Sequence, residues 1–154
     1  MSCLGNILLV EDNNSICSVY AHILEDTGYF IKYANNGKYA LECFKSTPFE
    51  VILCDFNLPD IDGIKLIKKI KEMDRDIYSI LFTASSSDEI EASALVSGID
   101  DFILKPCNEG RLLIGIKRGL EIRKDRIYKR AIGEKLLELS YLTEEYIGRG
   151  IKGY

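Results

Sequence analysis

The chain has 154 residues, 47% of them apolar and 29% charged, which is enough for one well-filled core and short for two full-size domains. No run approaches the ~20 uninterrupted apolar residues that cross a bilayer, and Met1 to Asn6 lacks the basic and then apolar regions of a signal peptide, so a cytoplasmic protein without a membrane span is expected. The net charge of −4 is unevenly shared, with 10 Lys and Arg against 18 Asp and Glu in residues 1 to 116 and 10 against 6 in residues 117 to 154; the acidic body is a poor partner for nucleic acid, and the basic tail reads first as a solvated helix face.

Short apolar runs alternate with segments of helical period. Strands are predicted at Asn6 to Val10, Phe30 to Ala34, Phe49 to Cys54, Tyr78 to Thr83 and Asp101 to Leu104, each followed by a helix. In the first helix Ile16, Tyr20, Ile23 and Leu24 recur at helical spacing, and Gly28 stands where it should stop. Strands one, three and four are almost wholly apolar, whereas strand two alternates as Phe30-Ile31-Lys32-Tyr33-Ala34, which puts the former in the middle of a sheet and the latter at an edge. A βα unit repeated five times calls for a parallel sheet with helices on both faces, the doubly wound α/β class.

Beyond Lys117 the helical pattern continues. Leu113, Ile116, Leu120, Ile127 and Ala131 form a stripe that Arg123 and Gly133 interrupt, and Leu136, Leu139, Leu142 and Tyr146 form a second one before Gly148, Gly150 and Gly153. The expected division is a compact domain over 1–121 and a helical extension or linker over 122–154.

Ligands of open α/β sheets bind outside the carboxyl ends of the strands. The residues there are Glu11 and Asp12 after strand one, Asp55 after strand three, Thr83 after strand four and Lys105 after strand five. Three carboxylates held together repel one another, and a hard divalent cation with oxygen ligands relieves this most simply. Magnesium suits a site with few protein ligands that shares a phosphate oxygen, and manganese could replace it. Asp55 then keeps an oxygen free to attack phosphorus, and Lys105 and Thr83 are placed to offset charge on the transferring group.

The segments Ile7-Leu8-Leu9-Val10-Glu11-Asp12-Asn13, Asp55-Phe56-Asn57-Leu58-Pro59-Asp60-Ile61-Asp62-Gly63, Thr83-Ala84 and Lys105-Pro106, in this order and spacing, closely resemble the receiver domains of response regulators in two-component signalling, over roughly residues 5 to 121. The resemblance implies a flavodoxin-like sheet of order 2-1-3-4-5 and a cis Lys105-Pro106 bond. It also implies that Glu11 and Asp12 are the acidic pair, Asp55 the phosphoacceptor, and Asn57 the donor of a backbone carbonyl to the metal. Thr83 and Lys105 would contact phosphoryl oxygens, with Thr83 and Phe102 as the switch pair. The partner it implies is a sensor histidine kinase or phosphotransfer protein. Self-association is expected through the fourth helix, fifth strand and fifth helix, or through the C-terminal helix.

Simpler readings compete at several positions. Asp12 alone could cap the helix that starts at Asn14, Asp60 and Asp62 fit turn chemistry, and Phe102 could be plain core. His22 is the sole histidine and reads as a surface residue, so the phosphoryl group must come from a partner or a small phosphodonor. The five cysteines (Cys3, Cys17, Cys43, Cys54, Cys107) suggest neither disulfides nor a zinc site, and Cys107 near the site reads as an idle thiol before a redox one. A phosphatase using an aspartyl phosphate wants a second Asp where Asn57 stands. A flavin site wants a glycine-rich loop where Glu11 to Ser15 stand, and a relic module would be expected to lack Asp55 or Lys105. The remaining alternatives are a receiver cut from a larger regulator or hybrid kinase and a non-phosphorylated interaction module.

Overall fold

The computed structural model describes residues 2–151. Among these, five strands alternate with five helices: β1 (Asn6–Val10), α1 (Asn14–Thr27), β2 (Phe30–Ala34), α2 (Gly37–Ser46), β3 (Val51–Cys54), α3 (Gly63–Met73), β4 (Tyr78–Thr83), α4 (Asp88–Val96), β5 (Asp101–Leu104) and α5 (Glu109–Ile151). The sheet is wholly parallel with order β2-β1-β3-β4-β5, so β1, β3 and β4 are central and their near-continuous apolar runs are buried throughout.

Alternation along the strands divides the core into two layers. Ile7, Leu9, Leu53, Ile80 and Phe82 meet Tyr20 and Leu24 of α1 and Leu112 and Ile116 of α5. On the opposite face Leu8, Val10, Ile52, Cys54 and Leu81 meet Ala40 and Cys43 of α2, Leu66, Ile67 and Ile70 of α3 and Ala94 of α4. Each fully buried leucine or isoleucine contributes roughly 1.5–3 kcal/mol, and the β-branched residues of the central strands already favour the extended form. Tyr20 packs edge-on against Phe82 with ring centres 4.6 Å apart.

The ends of α1 have local causes. Asn13 caps it, its side-chain oxygen accepting from the amides of Ser15 and Ile16 at 3.1 Å, and Gly28 terminates it with φ +109°, a conformation that costs glycine little. The capping role considered for Asp12 therefore belongs to its neighbour. β3 starts two residues later than the apolar run suggests, yet Phe49 is still core at 1% exposure.

Two features of the tail depart from the sequence reading. The stripe Leu113, Ile116 and Leu120 is spent on the core, where Ile116 is fully buried and the other two pack against the same cluster. Gly133 does not break the helix, because α5 runs through it; a lone glycine costs an exposed helix only about 1 kcal/mol relative to alanine. The described residues divide into two compact units between Arg123 and Lys124. No helix among them is long and apolar enough to cross a membrane.

Candidate functional site

Parallel register carries the acidic and basic residues to one edge of the sheet. Past β1, the Glu11 amide donates to the Ala34 carbonyl at 3.0 Å, and past β3 the Asp55 amide donates to Val10 at 3.0 Å. Past β5, the Lys105 amide donates to the Thr83 carbonyl at 2.9 Å. These bonds extend the ladders by one residue and fix where each side chain leaves the sheet. Lys105 is followed by a cis peptide bond to Pro106.

The Lys105 ammonium donates to Oδ2 of Asp55 at 3.0 Å and to Oε2 of Glu11 in a shorter contact. It also lies 5.3 Å from the centre of the Phe82 ring, a cation-π distance. Glu11 and Asp55 are nearly closed off at 3% and 7% exposure, while Asp12 is exposed. One carboxylate oxygen from each of the three lies within 4.8 Å of the others.

Burial pushes the Glu11 carboxyl above the usual carboxylate range, against the opposing pull of Lys105. Burial acts the same way on Asp55, but hydrogen bonds from Thr83 and Lys105 and its contact with Glu11 outweigh it and hold Asp55 below the usual range. Burial disfavours the Lys105 cation, and the bonds to Glu11 and Asp55 more than compensate, so its pKa is raised. Of these two buried carboxyls, Asp55 is therefore the one whose surroundings favour the charged form.

The loop between β3 and α3 surrounds Asp55. The Asn57 amide donates to Asp55 Oδ1 at 3.2 Å, and Asn57 Nδ2 donates to Ser85 Oγ at 2.7 Å, joining this loop to the one after β4. Asn57 and Asp62 pair as an antiparallel bridge and the Gly63 amide donates to Phe56 at 2.8 Å, so the loop is closed at its neck. Gly63 permits that closure, since a Cβ there would fall 2.1 Å from the Asp55 carbonyl oxygen. Asp62 caps α3 through the Lys65 amide at 2.8 Å.

Asp60 has a role that turn chemistry did not reveal. Its two oxygens accept from the amides of Gly37 and Lys38 at 2.8 and 2.9 Å, so it caps the first turn of α2 from 23 residues away and its carboxyl is held below the usual range. A local N-cap is legible from a motif; a remote one depends on the fold bringing two loops together.

The two residues expected as a switch pair differ in their surroundings. Thr83 is buried at 1% and accepts from the Ser85 amide at 3.2 Å, whereas Phe102 is half-buried in a groove with Ala94, Leu95 and Ile99. All five cysteines are free thiols, and burial raises the Cys107 thiol, away from easy oxidation. His22 is exposed and pairs with Asp26 at 3.4 Å on the surface of α1.

Residues 7–117 match the family model described as the response regulator receiver domain, so the chain belongs to the response regulator receiver family, the signalling switch of two-component systems. It is 35% identical over 115 residues to the transcriptional regulatory protein ZraR of Klebsiella oxytoca, covering 75% of this chain and 26% of that protein. It is 31% identical over 124 residues to hybrid signal transduction histidine kinase B of Dictyostelium discoideum, covering 72% of this chain and 6% of that one. A CheY-like response regulator receiver domain protein from Methanospirillum hungatei JF-1 superposes with a TM-score of 0.77 at 31% identity, over 80% of this chain and 98% of its own. The chain therefore spans about a quarter of the regulator and a small part of the hybrid kinase.

Proposed function

We propose that the chain accepts a phosphoryl group on Asp55 from a phosphohistidine of a partner histidine kinase or phosphotransfer protein and thereby changes its output surface. The observation that carries this reading is the pairing of the nearly buried Asp55 carboxyl with the Lys105 ammonium at 3.0 Å beside two further carboxylates. In the reaction an Asp55 oxygen attacks phosphorus, the phosphorus–nitrogen bond breaks, and the imidazole leaves with its electron pair. Lys105 offsets charge on the phosphoryl oxygens, and the Thr83 hydroxyl donates to one of them. Catalysis of this kind is limited to the chain's own phosphorylation and dephosphorylation.

The donor set fits magnesium: all-oxygen, anionic, open to solvent at Asp12, and small enough to leave room for waters and a phosphate oxygen. Glu11, Asp12, Asp55 and the backbone carbonyl of Asn57 would hold it, with manganese as a substitute. When bound, it supplies positive charge that draws the phosphoryl oxygens and the Asp55 carboxylate together. Lys105 supplies the remaining positive charge beside Glu11 and Asp55.

Movement of Thr83 toward the phosphoryl group would let Phe102 turn inward from its groove, altering the surface of α4, β5 and α5. A receiver module within a larger regulator or hybrid kinase is the alternative, and the cytoplasm is the proposed setting. For self-association, the C-terminal helix offers a long exposed apolar stripe. The test is intact mass after incubation with acetyl phosphate: one phosphoryl adduct, dependent on magnesium and absent in Asp55→Ala, is expected. An adduct that persists in Asp55→Ala, or ordinary enzymatic turnover of a phosphomonoester, would overturn the reading.

A further inference from the structure

The unit beginning at Lys124 is one helix whose apolar side chains recur at coiled-coil spacing. Tyr128, Ile132, Leu139, Leu142 and Tyr146, with Lys135 between, follow one another at intervals of four and three residues, and all are exposed, the apolar ones by 40% to 82%. In heptad terms Ile132, Leu139 and Tyr146 occupy a and Tyr128, Lys135 and Leu142 occupy d, with Leu136 beside them at e. Leu137 and Tyr141 lie outside this seam. A single helix cannot bury such a stripe alone.

The charges at the two ends of the seam select the occupant and its direction. Asp125 holds the a position before Tyr128, and Arg149 the d position after Tyr146; Lys124 and Glu145 are flanking g positions, and Lys129 is an e position. In a parallel pair Asp125 would meet Asp125, Arg149 would meet Arg149, and Lys124 would meet Lys129, all like charges. In an antiparallel pair Asp125 meets Arg149 and Lys124 meets Glu145, each twice by symmetry. The same register sets Tyr128 against Tyr146, Ile132 against Leu142 and Lys135 against Leu139. A slip of one heptad would place Leu142 against Asp125, so register is specified as well as direction. The ion pairs already present, Lys129 with Asp125 at 2.8 Å and Arg149 with Glu145, run along the helix and are exposed. Such pairs are weak enough to share their charges with a neighbouring helix.

We propose that the segment from Lys124 to Arg149 is an antiparallel dimerisation helix whose partner is the same segment of a second copy of this chain, independently of the phosphoryl chemistry. The full chain should sediment as a monomer–dimer mixture with a dissociation constant on the order of micromolar, because a short seam must offset the entropy of association. Leu139→Asp should abolish the dimer. Lys124→Glu should weaken it about three- to tenfold, and the double variant Lys124→Glu/Glu145→Lys should restore it. Lys124→Glu is a surface change and does not depend on the fate of Leu139→Asp. A chain that stays monomeric at all concentrations would overturn the proposal, as would a dimer that Lys124→Glu tightens, the outcome of parallel pairing. Acetyl phosphate labelling of the same variants should be unchanged, which separates this proposal from the phosphorylation reading.

Discussion

Lys105, after β5, and Asp55, after β3, stand 3.0 Å apart although their strands are not neighbours: β4 lies between them. The long lysine side chain, 5% exposed, crosses that gap and sets its ammonium between two carboxylates. One ammonium shared between two carboxylates offsets part of the cost of burying them.

Lys105→Met should therefore leave Glu11 and Asp55 facing each other without a cation. The expected cost is about 1–3 kcal/mol of stability, below the value for a fully enclosed pair because the site opens to water at Asp12. Urea unfolding midpoints would measure it. Added magnesium should recover part of the loss, and acetyl phosphate labelling should slow.

The same triad sets a pH dependence. The folded pKa of Lys105 is raised above its ordinary 10.5, so its contribution to stability is fully present below 10.5 and is lost as pH rises through the folded value. Asp55, depressed below its ordinary 3.8, contributes above 3.8 and loses its contribution as pH falls through the folded value. Glu11, raised above 4.5, works the other way and favours the fold only below 4.5, losing that as pH rises through its folded value. The stability difference between the wild type and Lys105→Met should thus shrink above pH 10.5. A difference that stays constant through the alkaline range would contradict the pairing.

Asp60→Ala removes the only cap that reaches the amides of Gly37 and Lys38 from the β3–α3 loop among the described residues. A loss of about 1 kcal/mol is expected from uncapping the first turn of α2. Because the same loop carries Asn57, magnesium affinity measured by calorimetry should fall several-fold, whereas Asp26→Ala, on the solvent face of α1, should change neither.

Gly63→Ala tests the neck of the loop. The added methyl would overlap the Asp55 carbonyl, and the backbone must move to admit it. Destabilisation of about 2 kcal/mol or more is expected, together with a loss of phosphorylation larger than the stability change explains. An alanine variant that unfolds and labels like the wild type would show that the neck is not held as described.

The βα alternation, the central strands and the polar residues at the carboxyl edge are legible in the residue pattern, since these depend on burial period and on position just past a strand. Its motifs, read as a resemblance, pointed to the strand order that the structure has. Which polar groups meet follows from the fold: Lys105 reaches both Glu11 and Asp55, Asp60 caps a helix far back along the chain, and Asn57 bonds to Ser85. The fold also decided that Ile116 belongs to the core while the heptads after Lys124 remain exposed. Local patterns encode what a segment prefers alone, but long-range hydrogen bonds and ion pairs depend on loop positions that no periodicity records, and a helical stripe looks the same whether a sheet or a second helix covers it.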